Sequence, residues 1–237
     1  VLPEAPDHTV QAWTLPGHVS TPALPADNFD AWVDHLAQRL REQVAAAGRA
    51  YLVGYSLGAR LALGLLVRHP QLLCRVSLIG VNPGLRSEAL RRSRLASDAR
   101  WLAMLRTGNL EAFLQAWHQQ PLFGSQQAPE RVSTPQLQAW RARRHQHSPA
   151  ALAAVLQAVQ LGAMPDYSAQ LQSQKFAAGP LGQVPTQLIV GSEDAAFLSH
   201  AQRLQAMQPQ WTLRVLPRCG HNPLLEAPTD LRAALWS

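Results

Sequence analysis

Apolar residues recur along the first part of the chain in blocks that alternate between two periods. Phe29, Trp32, Val33, Leu36 and Leu40 stand three and four apart, which predicts a helix capped at Asp27 or Asn28 and ending near Gly48. The short unbroken run Tyr51-Leu52-Val53 predicts a strand. It leads through Gly54-Tyr55-Ser56-Leu57-Gly58 into a second helical stretch, Ala59 to Arg68, which stops before Pro70. Val76 to Val81 reads as a buried strand closed by Asn82-Pro83-Gly84. Further upstream, His8 to Leu15 reads as a short strand closed by Pro16-Gly17-His18, and a proline-rich loop runs on to Pro25. Strands alternating with helices predict an α/β fold, a mostly parallel sheet with helices on both faces.

The alternation stops at Arg86. From there to about Met164 the periodicity predicts helices near 87–106, 109–118, 134–146 and 149–162, with no strand between them. Gly108, Pro121-Leu122-Phe123-Gly124 and Ser148-Pro149 mark the breaks. The strand signal returns at Thr186 to Val190, followed by a helix over 196–206, a strand from Trp211 to Leu216 and a last helix near 228–236. The expected organisation is an α/β core in two parts, 1–85 and 165–237, interrupted by an all-helical lid at 86–164.

Composition changes this picture in one respect. A chain of 237 residues with 47% hydrophobic content can bury a substantial core. No apolar run approaches the roughly 18 residues of a membrane span. Two cysteines, Cys74 and Cys219, are too few for a disulfide framework, so a reducing, cytoplasmic setting is expected. Charge is the informative quantity. Ten arginines and no lysine fall between Arg86 and Pro149 against four acids, so the lid carries the whole formal excess of +6. Arginine forks suit multidentate binding of carboxylate or phosphate. No basic run is interleaved with aromatics, which argues against nucleic acid. No His, Cys or Asp cluster has metal-ligand spacing, so neither a metal nor a cofactor is expected.

The candidate chemistry centres on Ser56. Gly-x-Ser-x-Gly between a strand and a helix reads as a nucleophile elbow, in which the turn is tight enough to need flanking glycines and the hydroxyl is pushed into the open. A serine hydroxyl is inert at neutral pH unless a histidine takes its proton and a carboxylate fixes that histidine. The chain supplies both, in the order serine, acid, histidine. Gly191-Ser192-Glu193-Asp194 follows one late strand, and Arg218-Cys219-Gly220-His221-Asn222 follows the last. Of nine histidines only His221 has this placement. Asp194 is preferred to Glu193 as the acid because it lies further along the loop, although the two could exchange roles.

Several stretches together resemble one enzyme family. They are Gly54-Tyr55-Ser56-Leu57-Gly58-Ala59-Arg60, Asn82-Pro83-Gly84-Leu85, Ser97-Asp98 with Trp101, Trp117-His118-Gln119-Gln120-Pro121-Leu122-Phe123, and Pro217 to Asn222. The chain is similar throughout to the 2-succinyl-6-hydroxy-2,4-cyclohexadiene-1-carboxylate synthases of menaquinone biosynthesis, which have the α/β-hydrolase fold. The resemblance implies an elimination of pyruvate from a small tricarboxylate substrate, without a cofactor. Ser56 would then be the base, His221 its activator and Asp194 the orienting acid, with the Leu57 N–H as an oxyanion donor. Arg60, Arg94 and Arg141 would be substrate-binding arginines, with Arg143 and Arg144 competing for the last role, and Tyr55 and Trp117 would be pocket aromatics.

The resemblance breaks down near the start of the chain. Members of the family carry a His-Gly-Phe motif after an earlier strand, which supplies a second oxyanion donor, and none precedes Leu15-Pro16-Gly17-His18. Val19 also stands where the family has glycine. The expectation is therefore a shortened chain that lacks N-terminal sheet strands. Two other functions remain open on this reading: a serine esterase or carbon–carbon bond hydrolase with the same three residues, and an inactive fragment.

Overall fold

A computed structural model of the chain describes residues 10–19, 21–24, 26, 28–44, 48–172 and 180–236. The sheet has four parallel strands: β1 (Ala50–Tyr55), β2 (Leu73–Ile79), β3 (Thr186–Gly191) and β4 (Thr212–Leu216). Their spatial order is the chain order, β1-β2-β3-β4. Parallel neighbours need long crossovers. Those between β1 and β2 and between β3 and β4 are the helices α2 (Leu57–Arg68) and α8 (Ala195–Met207). α1 (Phe29–Val44) precedes the sheet, while α9 (Pro223–Glu226) and α10 (Pro228–Trp236) follow it.

Alternate strand residues serve opposite faces. Val76 and Leu78 of β2 and Leu188 and Val190 of β3 join the larger core, with Trp32, Val33 and Leu36 of α1, Leu61, Leu63 and Leu66 of α2 and Leu204 of α8. Ile79 and Ile189 face the other way, onto Leu231, Ala234 and Leu235 of α10. That second face also holds a polar row across three strands. Gln187 Nε2 donates to Ser77 Oγ at 2.6 Å, Ser77 Oγ lies 2.6 Å from the Tyr51 hydroxyl, and Tyr51 donates to the Leu235 carbonyl at 3.1 Å. Each side chain of this row thus has a partner, and the last helix is tied to the sheet.

The long crossover between β2 and β3 contains no strand among the described residues. It comprises α3 (Glu88–Arg106), α4 (Leu110–His118), α5 (Thr134–Ala142), α6 (Pro149–Ala158) and α7 (Tyr167–Leu171). Trp101, Leu102, Leu105, Phe113 and Leu114 of α3 and α4 bury a small core of their own with Ala153 of α6.

The sheet strands and long helices agree with the periodicity to within a few residues, three expectations need correction, and the cap of α1 narrows to one of its two candidates. Residues 10–15 form no strand, and His8 and Thr9 lie outside the described residues. An extended segment becomes a strand only beside another, and β1 pairs with β2 alone among the described residues. The cap of α1 is Asn28, whose side chain accepts from the Ala31 N–H at 2.9 Å; Asp27 lies outside the described residues. The helix expected at 134–146 tightens into a 3₁₀ turn, Arg143–Gln146, after Ala142. The helix expected at 149–162 ends at Ala158. There Arg60 Nη1 takes the Val159 carbonyl at 2.8 Å and Arg91 Nη1 takes the Met164 carbonyl at 2.9 Å, holding the chain in a non-helical course.

Two measurements test this packing. A methyl group on Gly54 would collide with the Gly58 carbonyl oxygen, whereas one on Gly58 meets nothing within 4 Å. Gly54→Ala should therefore lower stability by at least about 2 kcal/mol, roughly 5 °C or more in Tm, whereas Gly58→Ala in the first turn of α2 should be neutral or stabilising by up to about 1 kcal/mol. Thermal denaturation followed by circular dichroism reads both. Cys74 is exposed, while Cys219 is buried and its thiol is pushed up to about 12 by burial and the nearby Glu226 charge. At pH 8 a disulfide reagent should titrate one thiol per native chain quickly and the second only after unfolding.

Candidate active site

The site lies at the carboxyl ends of the strands, where a parallel sheet brings its outgoing loops to one edge. β1 ends at Tyr55 and α2 begins at Leu57, which leaves the whole reversal to Ser56. Its backbone is forced to φ 51°, ψ −109°, a conformation few non-glycine residues adopt. The Ser56 N–H donates to the Ile79 carbonyl at 2.9 Å, and its carbonyl accepts the Arg60 N–H at 3.1 Å. Gly54 makes the turn possible because its missing side chain lets β1 and the start of α2 touch. Leu57, at the first position of α2, presents one of the helix N-terminal N–H groups that have no intrahelical acceptor.

The loop after β3 supplies the acid. Ser192 N–H is held by the Leu216 carbonyl at 2.8 Å and Glu193 N–H by the Cys219 carbonyl at 2.9 Å, which locks this loop to the one after β4. The two neighbouring acids differ in what each touches. Glu193 turns outward to a two-pronged ion pair with Arg131, at 2.5 and 2.9 Å. Asp194 is 7% exposed, and its Oδ2 accepts from His221 Nδ1 at 2.6 Å.

His221 is held from several sides. The Glu226 carboxylate accepts the N–H groups of Gly220, at 2.8 Å, and Asn222, at 3.1 Å, which pins the loop on either side of it. Its ring packs against Phe197 at 4.3 Å, Tyr55 at 5.5 Å and Phe123 at 6.4 Å. Gly80, with φ +59°, lies beneath, and a Cβ there would stand 3.0 Å from the imidazole. With Nδ1–H donating to Asp194, the free Nε2 lone pair faces the Ser56 hydroxyl at 3.1 Å. The result is a continuous hydrogen-bonded row from Ser56 through His221 to Asp194, the arrangement that activates a serine oxygen.

The arginines singled out from the sequence fall into two groups. Arg60 has its guanidinium buried between α2 and the chain after α6, and burial together with the Arg94 charge pushes its pKa down to about 10. Arg94 Nε donates to Asp98 Oδ1 at 2.9 Å; Asp98 is 2% exposed and its other oxygen has no partner. Trp117 meets Trp101 edge-on at 5.2 Å and packs at a tilt against Phe113 at 5.4 Å, within the helical crossover. Arg141 has a buried Nε without a partner.

Arg144, which the sequence left as a competitor of Arg141, has the closer link to the serine site. Its guanidinium lies 3.6 Å from the centre of the Trp140 ring, and its Nη1 is 3.0 Å from His118 Nε2. Burial pushes it down to about 10, opposed by its attraction to Tyr55. The Tyr55 hydroxyl in turn is pushed well above its ordinary value by burial, an effect that Arg144 moderates. Neither Arg141 nor Arg144 has a carboxylate partner among the described residues. His18 and His147, edge-to-face at 5.4 Å, stand near Arg144 and are held below the usual imidazole range, chiefly by burial. Helical spacing could not single out Arg144, because it stands in the 3₁₀ turn beyond the end of α5.

A cavity of about 300 Å³ adjoins this centre, with Leu122, Ser125 and Arg131 on one side and Asp194, Gly220 and His221 on the other. A slightly larger hollow of about 350 Å³, between Pro16, Leu24 and Arg39, contains none of these groups. Among the described residues no group of His, Cys, Asp or Glu is placed to hold a metal ion, and no helix is long and apolar enough to cross a membrane.

Comparison with known proteins places this geometry in a family. The profile of the alpha/beta hydrolase family matches residues 2–234. A 2-succinyl-6-hydroxy-2,4-cyclohexadiene-1-carboxylate synthase of Enterobacter sp. (strain 638) is 33% identical over 234 residues, covering 98% of this chain and 82% of the relative. The same-named protein of Escherichia coli O1:K1 is 33% identical over 221 residues, covering 93% of this chain and 79% of its own. Among solved structures, MenH from S. aureus superposes with a TM-score of 0.82 at 25% identity, covering 93% of this chain and 79% of that one. A carboxylesterase structure from Nitrososphaera gargenis, with a TM-score of 0.71 and 21% identity over 94% of this chain and 76% of its own, shares the fold. The chain therefore belongs to the α/β-hydrolase family and, within it, to the 2-succinyl-6-hydroxy-2,4-cyclohexadiene-1-carboxylate synthases.

Proposed function

We propose that the chain is a carbon–oxygen lyase of menaquinone biosynthesis. Its reaction converts 2-succinyl-5-enolpyruvyl-6-hydroxy-3-cyclohexene-1-carboxylate to 2-succinyl-6-hydroxy-2,4-cyclohexadiene-1-carboxylate and pyruvate. The observation that carries this reading is a pair of half-buried arginines without carboxylate partners among the described residues, Arg141 and Arg144, the second of which is attracted to Tyr55 next to the serine of the hydrogen-bonded row Ser56–His221–Asp194. A desolvated cation lacking an internal anion favours an external one. The substrate brings three carboxylates.

Substrate and product together define the bonds that change. A proton leaves ring carbon 2, the ring double bond shifts to give the 2,4-diene, and the bond from ring carbon 5 to the enolpyruvyl oxygen breaks. The Ser56 oxygen takes that proton as its own passes to His221 Nε2, and the resulting imidazolium is stabilised by Asp194. Negative charge passes to the succinyl ketone oxygen, next to carbon 2, where the Leu57 N–H and the positive end of α2 can stabilise it. The departing enolate of pyruvate recovers a proton from His221, which returns the site to its starting state. Arg60 and Arg94 on one side and Arg141 and Arg144 on the other hold the carboxylates, Tyr55 and Trp117 pack against the ring system, and the helical crossover acts as the lid.

A second reading is retained because the same three residues suit acyl transfer. A serine esterase or carbon–carbon hydrolase would pass through an acyl-Ser56 intermediate, which the elimination does not form. Rapid-quench mass spectrometry of the chain turning over the cyclohexene substrate should show unmodified Ser56; an acyl adduct would favour the hydrolase.

Coupled detection of pyruvate tests the assignment directly. Ser56→Ala and His221→Ala should each reduce kcat by about a thousandfold or more while the fold persists. Arg144→Ala and Arg94→Ala should act mainly on KM, raising it by about ten- to a hundredfold, the loss expected of a charge-assisted hydrogen bond. Wild-type KM in the arginine variants would exclude this substrate. Binding needs charged guanidiniums, and Arg60 and Arg144 are pushed down to about 10. Affinity should therefore be full below about pH 9 and fall as pH rises through 10, read as KM against pH.

A further inference from the structure

His118, the last residue of α4, is buried and does not contact the Ser56–His221–Asp194 row, yet its ring is the hydrogen-bond partner of an arginine attracted to Tyr55, the residue before Ser56. We propose that His118 is a positioning residue. Its neutral imidazole, together with the Trp140 ring, orients Arg144 toward the substrate without neutralising its charge. This inference deepens the lyase reading and rests on it for the identity of the anion.

The donor inventory decides the state of the pair. A guanidinium has donors only, so a hydrogen bond between Arg144 Nη1 and His118 Nε2 at 3.0 Å requires a bare lone pair on Nε2. His118 must therefore be the neutral Nδ1–H tautomer. The charged groups facing it are Arg141 from α5 and Arg144 and His145 from the 3₁₀ turn, and His145 pairs with Glu111 of α4 at 3.2 Å. The Trp140 ring lies 5.6 Å away, and the Gln127 amide donates to the His118 carbonyl at 3.3 Å. Burial and these cations together push the imidazole down to about 4, so it stays neutral through the physiological range.

The choice of imidazole has a physical consequence. A carboxylate in its place would fix the guanidinium equally well, but it would compete with the substrate for the same charge and the same donors. A neutral acceptor uses one N–H and leaves the full positive charge and the remaining donors for a ligand carboxylate. The Trp140 face at 3.6 Å fixes the plane of the fork, and the His118 bond fixes its rotation in that plane. The second, unpartnered arginine beside the pair, Arg141, marks the same region as an anion site.

Two measurements on the full chain test the proposal. Long-range proton–nitrogen spectra of the imidazoles, recorded without substrate, should show His118 protonated only at Nδ1 from pH 8 down to about pH 5. An Nε2–H tautomer, or protonation near pH 6.5, would overturn it. Kinetics supply the second arm. His118→Leu, which removes the acceptor, should raise KM by about tenfold with kcat within about twofold. His118→Gln, which restores an acceptor, should keep KM within about threefold of wild type. In an Arg144→Ala background His118→Leu should add nothing further. Equal damage from Leu and Gln, or an undiminished effect in the Arg144→Ala background, would show a merely structural role. A wild-type chain that released no pyruvate would overturn the lyase reading instead. The same variants would then be compared by their Kd for citrate, a tricarboxylate probe. Loss of citrate affinity in His118→Leu but not His118→Gln would uphold the positioning role, and equal affinities would end it.

Discussion

The structure depends on the close approach of backbone to backbone at the strand ends. β1 can run into α2 through a single residue only because Gly54 has no side chain to meet the Gly58 carbonyl. That contact drives Ser56 to a positive φ, at a cost of order 1–3 kcal/mol that the flanking hydrogen bonds must offset. The same device recurs along the sheet edge. Gly80, just past β2, leaves room for the His221 ring, and Gly191, the last residue of β3, leaves room for the carbonyls of Cys219 and Gly220. These strand ends leave room for the chain that packs against them, and the parallel strands deliver their loops to one edge of the sheet. A side chain at any of these glycines would separate serine, histidine and acid.

Charge is arranged by a different logic from packing. Asp98 and Arg94 form a partly buried pair, and the Asp98 charge also acts on Arg60. His118, Trp140 and Arg144 form a cluster with no acid at all. The first arrangement stabilises its cations and weakens them as binding groups. The second leaves its cation strong at the expense of folding free energy. A guanidinium and a carboxylate about 4 Å apart in a partly buried site attract by roughly 4 kcal/mol, enough to recover on binding what folding gave up. The excess of arginine in the helical crossover thus includes this second arrangement beside cations that are ion-paired, such as Arg86, Arg92 and Arg131.

Most of the architecture was legible because it depends on local period. The strand and helix alternation, the strand-free crossover and the elbow at Ser56 all follow from residues within a few positions of one another. The rest depended on partners distant in sequence. Glu193 and Asp194 are neighbours with the same chemistry, and what separates them is Arg131, 62 positions upstream, which draws Glu193 outward. Arg141 and Arg144 could not be ranked until the helix tightened into a 3₁₀ turn after Ala142 and put Arg144 over Trp140. The end of α6 was invisible for a similar reason, since Arg60 and Arg91 reach from α2 and α3 to claim the carbonyls beyond it. The alternating pattern up to Leu15 has the right period for a strand, yet period alone cannot supply a neighbour to pair with.

The row Ser56–His221–Asp194 does not by itself choose between attack on a carbonyl and removal of a proton. In both, the serine oxygen gives its hydrogen to His221 and acquires negative charge, and in both an oxyanion forms near the start of α2. The difference lies in which substrate atom stands within reach of Oγ. On the reading proposed, that choice belongs to the arginines. Arg60 is on α2 with Arg94 near it, and Arg144 is near Tyr55, so a rigid ring with carboxylates at its ends would be held across the serine. A ring held that way can meet Oγ with a carbon–hydrogen bond while its ketone faces the helix N-terminus. Reaction type in this fold is then a matter of where cations are left unpaired. His118 matters because it keeps one of them unpaired and correctly turned.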